Sequence, residues 1–212
     1  DLYLCGVGVK QNYQTAKKYF EKSAENNNSN ALVYLGIFYL NGFGVEKDYK
    51  KAKEYFKSAA KLNDSNGFLF LGFLHFYGFG VKQKNYSKAK KHFESSAKLR
   101  NSDALNILGN LYFYGIGVEQ NYIKAKVYFE SAAKLNNSDA LNNLGNLYFN
   151  GFGVKQDYEK AKEFYELSAK QNNSCALHSL GLLYFHGKGV NKNIEMAINF
   201  FELSSQLNNS YA

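Results

Sequence analysis

Proline is absent from all 212 residues of the chain. Proline removes a backbone donor and breaks helix interiors, so its absence suits a chain built mostly of helix. Cysteine is nearly absent, with Cys5 and Cys175 the two copies. They stand almost five repeat lengths apart, too far for a disulfide framework. Two unpaired thiols lean toward a reducing compartment, the cytoplasm first. No apolar run approaches the ~18 residues of a membrane span. Arginine occurs once, as Arg100. That scarcity argues against nucleic-acid recognition, where arginine carries much of the base and phosphate contact. No charged-then-apolar leader opens the chain, and residue 1 already falls inside a repeat. The reading therefore expects a section of a longer protein.

What is present is periodic. Gly-x-Gly-Val begins at Gly6, Gly42, Gly78, Gly115, Gly151 and Gly187, at steps of 36, 36, 37, 36 and 36 residues. A fixed period in this range marks a solenoid, because each unit is too small to bury its own apolar face and must stack on its neighbours. The expected division is a single array over 1–212, with a partial repeat at 1–30 and full repeats at 31–66, 67–103, 104–139, 140–175 and 176–211. Asp1 to Leu4 align with the end of a helix, and Ala212 aligns with the start of another. Neither end has a polar capping unit, so further repeats or a neighbour are expected to cover both.

The unit from Ala31 to Asn66 shows the local logic. The apolar run Ala31 to Leu40 gives about three helical turns. Ser29 or Asn30 is positioned to cap its start, and Gly42 to end it in the left-handed conformation. Asp48 then caps a second helix, and its equivalents Asn12, Asn85, Asn121, Asp157 and Asn193 are all Asn or Asp. Ala52, Tyr55, Phe56, Ala59 and Ala60 follow at i, i+3, i+4, i+7 and i+8, one apolar stripe on a helix. Ala52, Ala89, Ala125 and Ala161 are expected to be buried. Gly36, Gly72, Gly109, Gly145 and Gly181 lie in the middle of first helices, where glycine costs about 1 kcal/mol against alanine. Close approach of the partner helix is the expected compensation. The single step of 37 is an extra loop residue in Val81 to Asn85, which leaves both helices intact.

The charge balance is 26 basic against 18 acidic residues, a net +8. The lysines recur in every repeat on the outer face of the second helix, as at Lys17, Lys53, Lys88, Lys124 and Lys160. That spread reads as a solvated face more than as a nucleic-acid footprint. Asn-x-Ser occurs at Asn27, Asn63, Asn85, Asn136, Asn172 and Asn208. Their recurrence at helix junctions reads as capping first and glycan acceptance second. The loop residues Phe43, Phe79, Ile116 and Phe152 are expected to tuck under their turns, the alternative being an apolar edge on one rim.

Catalytic and metal chemistry finds little support. Of His75, His92, His178 and His186, the last two lie eight residues apart on one helix, where a metal pair uses three or four. No Ser-His-Asp or Cys-His arrangement is legible. A dinucleotide fingerprint needs a third glycine and a preceding strand. Here the glycines follow a helix, so no cofactor and no metal is expected.

One unit carries Ala140, Leu144-Gly145, Tyr148, Gly151-Phe152-Gly153-Val154, Asp157, Lys160-Ala161 and Phe164-Tyr165. These residues resemble the Sel-one-like repeat family, a branch of the tetratricopeptide-like helical repeats, and the likeness runs over essentially the whole chain. The resemblance implies an all-α, α/α solenoid: antiparallel helix pairs stacked into a right-handed superhelix. It also implies a non-catalytic adaptor or scaffold for another protein or peptide. A cysteine-rich branch of the family binds penicillin-like ligands through repeats with one disulfide each, and Cys5 and Cys175 do not reproduce that spacing.

In such arrays the first helices line the concave wall, and positions at i, i+4 and i+7 face the groove. Here they are Val33, Ile37 and Leu40; Leu69, Phe73 and Phe76; Asn106, Asn110 and Phe113; Asn142, Asn146 and Phe149; His178, Leu182 and Phe185. The apolar positions suit partner side chains, and the asparagines suit the alternating donors and acceptors of an extended peptide. None of the triplets holds Lys or Arg, so an internal segment is expected over a free carboxylate end. Two rival readings are a nucleic-acid-binding helical repeat, supported only by the charge, and an accessory region of an enzyme whose catalytic part lies outside these residues.

Overall fold

The computed structural model describes residues 2–209. Among the described residues there are twelve helices and no strand. In order they are α1 (Leu2–Cys5), α2 (Tyr13–Glu25), α3 (Ser29–Asn41), α4 (Tyr49–Lys61), α5 (Ser65–Tyr77), α6 (Tyr86–Lys98), α7 (Ser102–Tyr114), α8 (Tyr122–Ala133), α9 (Ser138–Asn150), α10 (Tyr158–Ala169), α11 (Ser174–His186) and α12 (Ile194–Asn209). The expectation that Ala212 opens a further helix falls outside the described residues. The chain forms two compact units, Asp1–Ala104 and Leu105–Ala212. In the first unit each helix from α1 to α6 packs on the next; in the second the same holds from α8 to α12. The fold is the expected all-α solenoid of sequential antiparallel pairs.

The second helices begin where their Asn and Asp caps stand. Asp48 Oδ1 accepts from the backbone N–H of Lys50 at 2.9 Å and of Lys51 at 3.0 Å. Asn12, Asn85, Asn121, Asp157 and Asn193 accept in the same way. The first helices correct the sequence reading. Their cap is neither Ser29 nor Asn30 but Asn28, whose Oδ1 accepts from Ala31 N–H at 3.1 Å. Asp64, Asn101, Asn137 and Asn173 are its equivalents. The sequon residues Asn27, Asn63, Asn136 and Asn172 precede these caps and are not caps themselves. They hold φ near +60° (57°, 58°, 59° and 58°), the left-handed turn that reverses the chain. Arg100 takes that place once, at φ 61°. Asn85 is the sequon residue that does cap a helix.

Each helix pair closes on a glycine. Ala52, Ala89, Ala125 and Ala161 are fully buried, as are Phe56 and Phe93, with Phe129 and Tyr165 nearly so. Those rings lie against Gly36, Gly72, Gly109 and Gly145 of the first helices, so close that a β-carbon on Gly72 would stand 2.5 Å from Phe93 Cδ1. Close approach is thus the reason for mid-helix glycine. The loops rest on the preceding repeat. Gly44, at φ +64°, has no room for a β-carbon beside Tyr13 Cβ, and Gly80, Gly153 and Gly189 sit likewise on Tyr49, Tyr122 and Tyr158. Phe43, Phe79 and Phe152 stack on those tyrosines at 5.1, 5.0 and 5.0 Å between centroids. Phe79 and Phe152 keep 39% and 36% of their surface exposed, so the tuck is one-sided. The N–H of each second-helix cap donates to a carbonyl nine residues back, as Asp48 to Tyr39 at 2.9 Å. In the long loop Asn85 reaches His75 at 2.8 Å, ten residues back, so the extra residue is absorbed inside the loop.

Candidate functional site

In the first unit the sequence-derived residues fall on α3 and α5. Val33 and Leu69 are buried at 5% and 6% exposure and belong to the core. Ile37, Leu40, Phe73 and Phe76 are half-buried. Phe76 meets Tyr86 edge-on at 5.2 Å, and Phe73 meets Phe93 at 5.5 Å. Leu40 and Phe73 help to line a cleft of about 390 Å³, together with Asn41, Lys47, Tyr49, Phe70, Leu74, Tyr77 and Phe79. Five of these nine lining residues are aromatic, so the wall of the cleft is largely apolar. Phe79 stacks between Tyr49 and Tyr77, at 5.0 and 5.5 Å, and Tyr77 is half exposed. Tyr49 and Tyr77 were missed in the sequence, whereas Phe79 was singled out there as a loop residue but not placed at a site. All three lie one residue to either side of a Gly-x-Gly start or a cap, and only the loop's contact with the preceding repeat brings them together.

In the second unit the asparagines form an internal network. Asn143 donates through its amide to Asn106 Oδ1 at 3.0 Å and to Asn110 Oδ1 at 3.3 Å. Tyr165 donates its hydroxyl to Asn146 Oδ1 at 2.7 Å. Burial pushes the Tyr165 phenol above its ordinary value, so it stays a donor. These carbonyls are already engaged within the chain. Asn106 and Asn142 are buried, at 8% and 9% exposure. Asn142 Oδ1 is buried without a hydrogen-bond partner, an acceptor left unsatisfied at a cost of about 1–3 kcal/mol. Asn143, which ties this network together, was also missed, since it sits one residue off the expected register. Phe113 and Phe149 pack edge-on against Tyr122 and Tyr158 at 5.3 and 5.4 Å. Leu182 is half-buried, and His178 and Phe185 are exposed, with His178 against Phe201 at 5.1 Å.

The outer lysines are widely paired. Lys17–Glu21, Lys90–Glu94, Lys126–Glu130 and Lys162–Glu166 are i,i+4 ion pairs at 2.8 to 3.3 Å. Such exposed pairs add little stability. Among the described residues no group of His, Cys, Asp and Glu is arranged to hold a metal, and no helix is long and apolar enough to cross a membrane. Cys5 and Cys175 are free and exposed.

Six stretches, residues 1–28, 29–64, 69–101, 102–137, 138–173 and 176–209, match the family profile described as Sel1 repeat. A Sel1 repeat protein from Oxalobacter formigenes is 32% identical, with a TM-score of 0.90 over 97% of this chain and 84% of its own. A protective antigen of uropathogenic Escherichia coli, displaying an SLR fold, is 30% identical over 99% of this chain with a TM-score of 0.79. This chain spans 44% of that antigen's length. An immunity protein from Pseudomonas aeruginosa shares the fold, with a TM-score of 0.71 at 20% identity over 95% of this chain and 76% of its own. No protein of curated function matches the chain significantly.

Proposed function

Because the chain belongs to the Sel1 repeat family, we propose that it is a non-catalytic adaptor that holds a partner protein through the exposed parts of its first helices. The observation that carries this reading is the aromatic cleft between α3, α5 and their loops, open enough for a partner side chain and lined by Phe73, Tyr77 and Phe79. An exposed apolar cleft in a protein with a complete core marks a contact surface. In the second unit the half-buried Asn110 and Asn146, whose carbonyls are engaged inside the chain, keep amide donors for the backbone of an extended segment. The presence of a single arginine, Arg100, speaks against a nucleic-acid ligand.

The test is capture of partners from lysate with the full chain as bait, with and without nuclease, followed by affinity measurement on a purified partner. Tyr77→Ser with Phe79→Ser removes exposed aromatic surface and spares the core. Loss of about 2 kcal/mol per central aromatic is expected, a hundredfold or more in Kd for the pair. Lys50→Ala with Lys61→Ala on the solvent side of α4 serves as the comparison and should leave Kd within a factor of two or so. If the lysine pair abolishes binding while the aromatic pair leaves it intact, the outer face is the site and the proposal fails. Loss of every partner on nuclease treatment overturns it as well.

A further inference from the structure

Every repeat stacks one ring of its first helix on one ring of its second. Five of the six pairs join Tyr to Tyr or Phe: Tyr3–Tyr19, Tyr39–Tyr55, Tyr112–Tyr128, Tyr148–Phe164 and Tyr184–Phe200, with centroids 5.6 to 5.8 Å apart. The sixth is His75 on His92, at 5.4 Å and 11° from parallel. Both members of the pair have changed together. A second departure stands beside it. Four second helices place Glu four residues after a lysine and form an ion pair there. In α4 the same lysine is Lys53, and the residue four later is Lys57. The third departure is the extra loop residue of the 37-residue step, in the stretch that carries Lys82.

These departures meet at one place. A pocket of about 430 Å³ is lined by His75, Lys53, Lys82 and Lys88, with Gly80, Val81 and Gln83 of the loop and the cap Asn85 completing it. His75 is 8% exposed, and its Nδ1 is buried with no hydrogen-bond partner. The charges acting on His75 and His92 are all basic. Burial, then His92, Lys53, Lys88 and Lys57, holds His75 down at about 4. Burial and the neighbouring Lys57 and Lys88 lower Lys53 itself. Elsewhere the same column has a tyrosine under lysines, as with Lys51 5.1 Å and Lys17 5.9 Å from the Tyr39 ring centre, so the positive charge is absorbed by a π face and by Glu21. Here both compensations are gone and cationic groups converge on an unsatisfied imidazole.

We propose that this pocket is an anion site that takes a phosphate group, with Lys53, Lys82 and Lys88 supplying charge and His75 a hydrogen bond. A divalent cation would face three ammonium groups, so the site selects against metal. A phosphate carries close to two negative charges at neutral pH and several acceptor oxygens, which suits this cluster better than a single carboxylate. Lysine binds phosphate as a point charge, without the planar geometry an arginine would impose. The phosphate comes either on a side chain of a partner or on a small molecule, and the chemistry at the pocket is the same.

The experiment is an NMR titration of the histidine rings of the full chain with inorganic phosphate, against sodium chloride at matched ionic strength. Phosphate should shift the His75 and His92 signals saturably. It should also raise the pKa of His75 from about 4, because the bound anion favours the imidazolium. Lys57→Glu, His75→Tyr and His92→Tyr together restore the residue types of the other repeats, and should weaken phosphate binding about tenfold or more by calorimetry. Lys82→Gln with Lys88→Gln changes only exposed residues, tests the same charge without touching the ring pair, and should weaken binding similarly. N-acetylphosphoserine amide and glycerol 3-phosphate distinguish the source: tighter binding of the first assigns a partner's side chain, of the second a free small molecule. The proposal is overturned if phosphate shifts the rings no more than chloride does, or if both variants bind phosphate as the parent chain does.

Discussion

Replacing Gly72 by alanine should destabilise the protein, although alanine is the better helix former. Gly72 lies inside α5 under the ring of Phe93, and an added β-carbon would stand 2.5 Å from Cδ1 and 3.0 Å from Cζ. Phe93 has no exposed surface and touches Phe73 edge-on at 5.5 Å, so its ring has nowhere to retreat. Overpacking of this kind costs about 1–3 kcal/mol, and the complete burial places it near the upper figure. The helix gains about 1 kcal/mol from losing glycine. The net expectation is a loss of about 2 kcal/mol, obtained from urea unfolding followed by circular dichroism with the denaturant slope unchanged. The cause is separable by a double-mutant cycle with Phe93→Leu. Once the ring is gone, Gly72→Ala should stabilise by about 1 kcal/mol, so the two sites should couple by about 3 kcal/mol. A stabilising Gly72→Ala in the parent chain, or a coupling below about 0.5 kcal/mol, would refute the close-approach argument.

Two further outcomes follow from single positions. Arg100→Asn should raise stability by about 0.5–1 kcal/mol, since φ 61° strains arginine and the four equivalent turns use asparagine. An unchanged urea midpoint would show that the turn tolerates either residue. Acid should weaken the fold through His75: its imidazole is held neutral at about 4, while the unfolded chain takes up the proton near 6.5. Stability is therefore full above pH 6.5 and falls as pH drops from there toward 4, by on the order of 2 kcal/mol after screening in the open pocket. Lys53 and Lys57 from α4, Lys82 from the loop, and Lys88 from α6 stand around the imidazole, and His92, lowered in the same direction, adds to the loss. His75→Tyr with His92→Tyr should flatten the slope of stability against pH, and an unchanged slope would assign the acid sensitivity elsewhere.

The period, the glycine-closed helix pairs and the second-helix caps were readable because each depends on one residue type at one place. The first-helix caps were not, for a local reason. Asn27, Asn28, Ser29 and Asn30 are all able to cap, and composition cannot say which of them takes the left-handed turn just before the helix. The first position of four of the five proposed triplets, Val33, Leu69, Asn106 and Asn142, turned inward, while the fifth, His178, is exposed, because the apolar residues of α3 and its equivalents are not confined to one face. Spacing along such a helix does not separate a core face from a groove face. The aromatic cleft depends on Phe79 meeting Tyr49 across repeats, which no local pattern reveals. The His75–His92 pair was within reach, since aligning the repeats by column shows two tyrosine-class positions changing in the same unit. Taken one residue at a time, each histidine read as ordinary packing.

The seating of each Gly-x-Gly loop has a consequence for how the protein is made. Gly44 rests on Tyr13, Gly80 on Tyr49, Gly153 on Tyr122 and Gly189 on Tyr158, always on a residue earlier in the chain. Synthesis proceeds from the amino end, so each loop emerges after its platform already exists. Each of these loops can therefore settle on its platform without waiting for residues not yet translated. The dependence does not run the other way. Trimming from the carboxyl end leaves whichever of these four loops remain with their tyrosines beneath them, whereas trimming from the amino end strips the seat from the next of them.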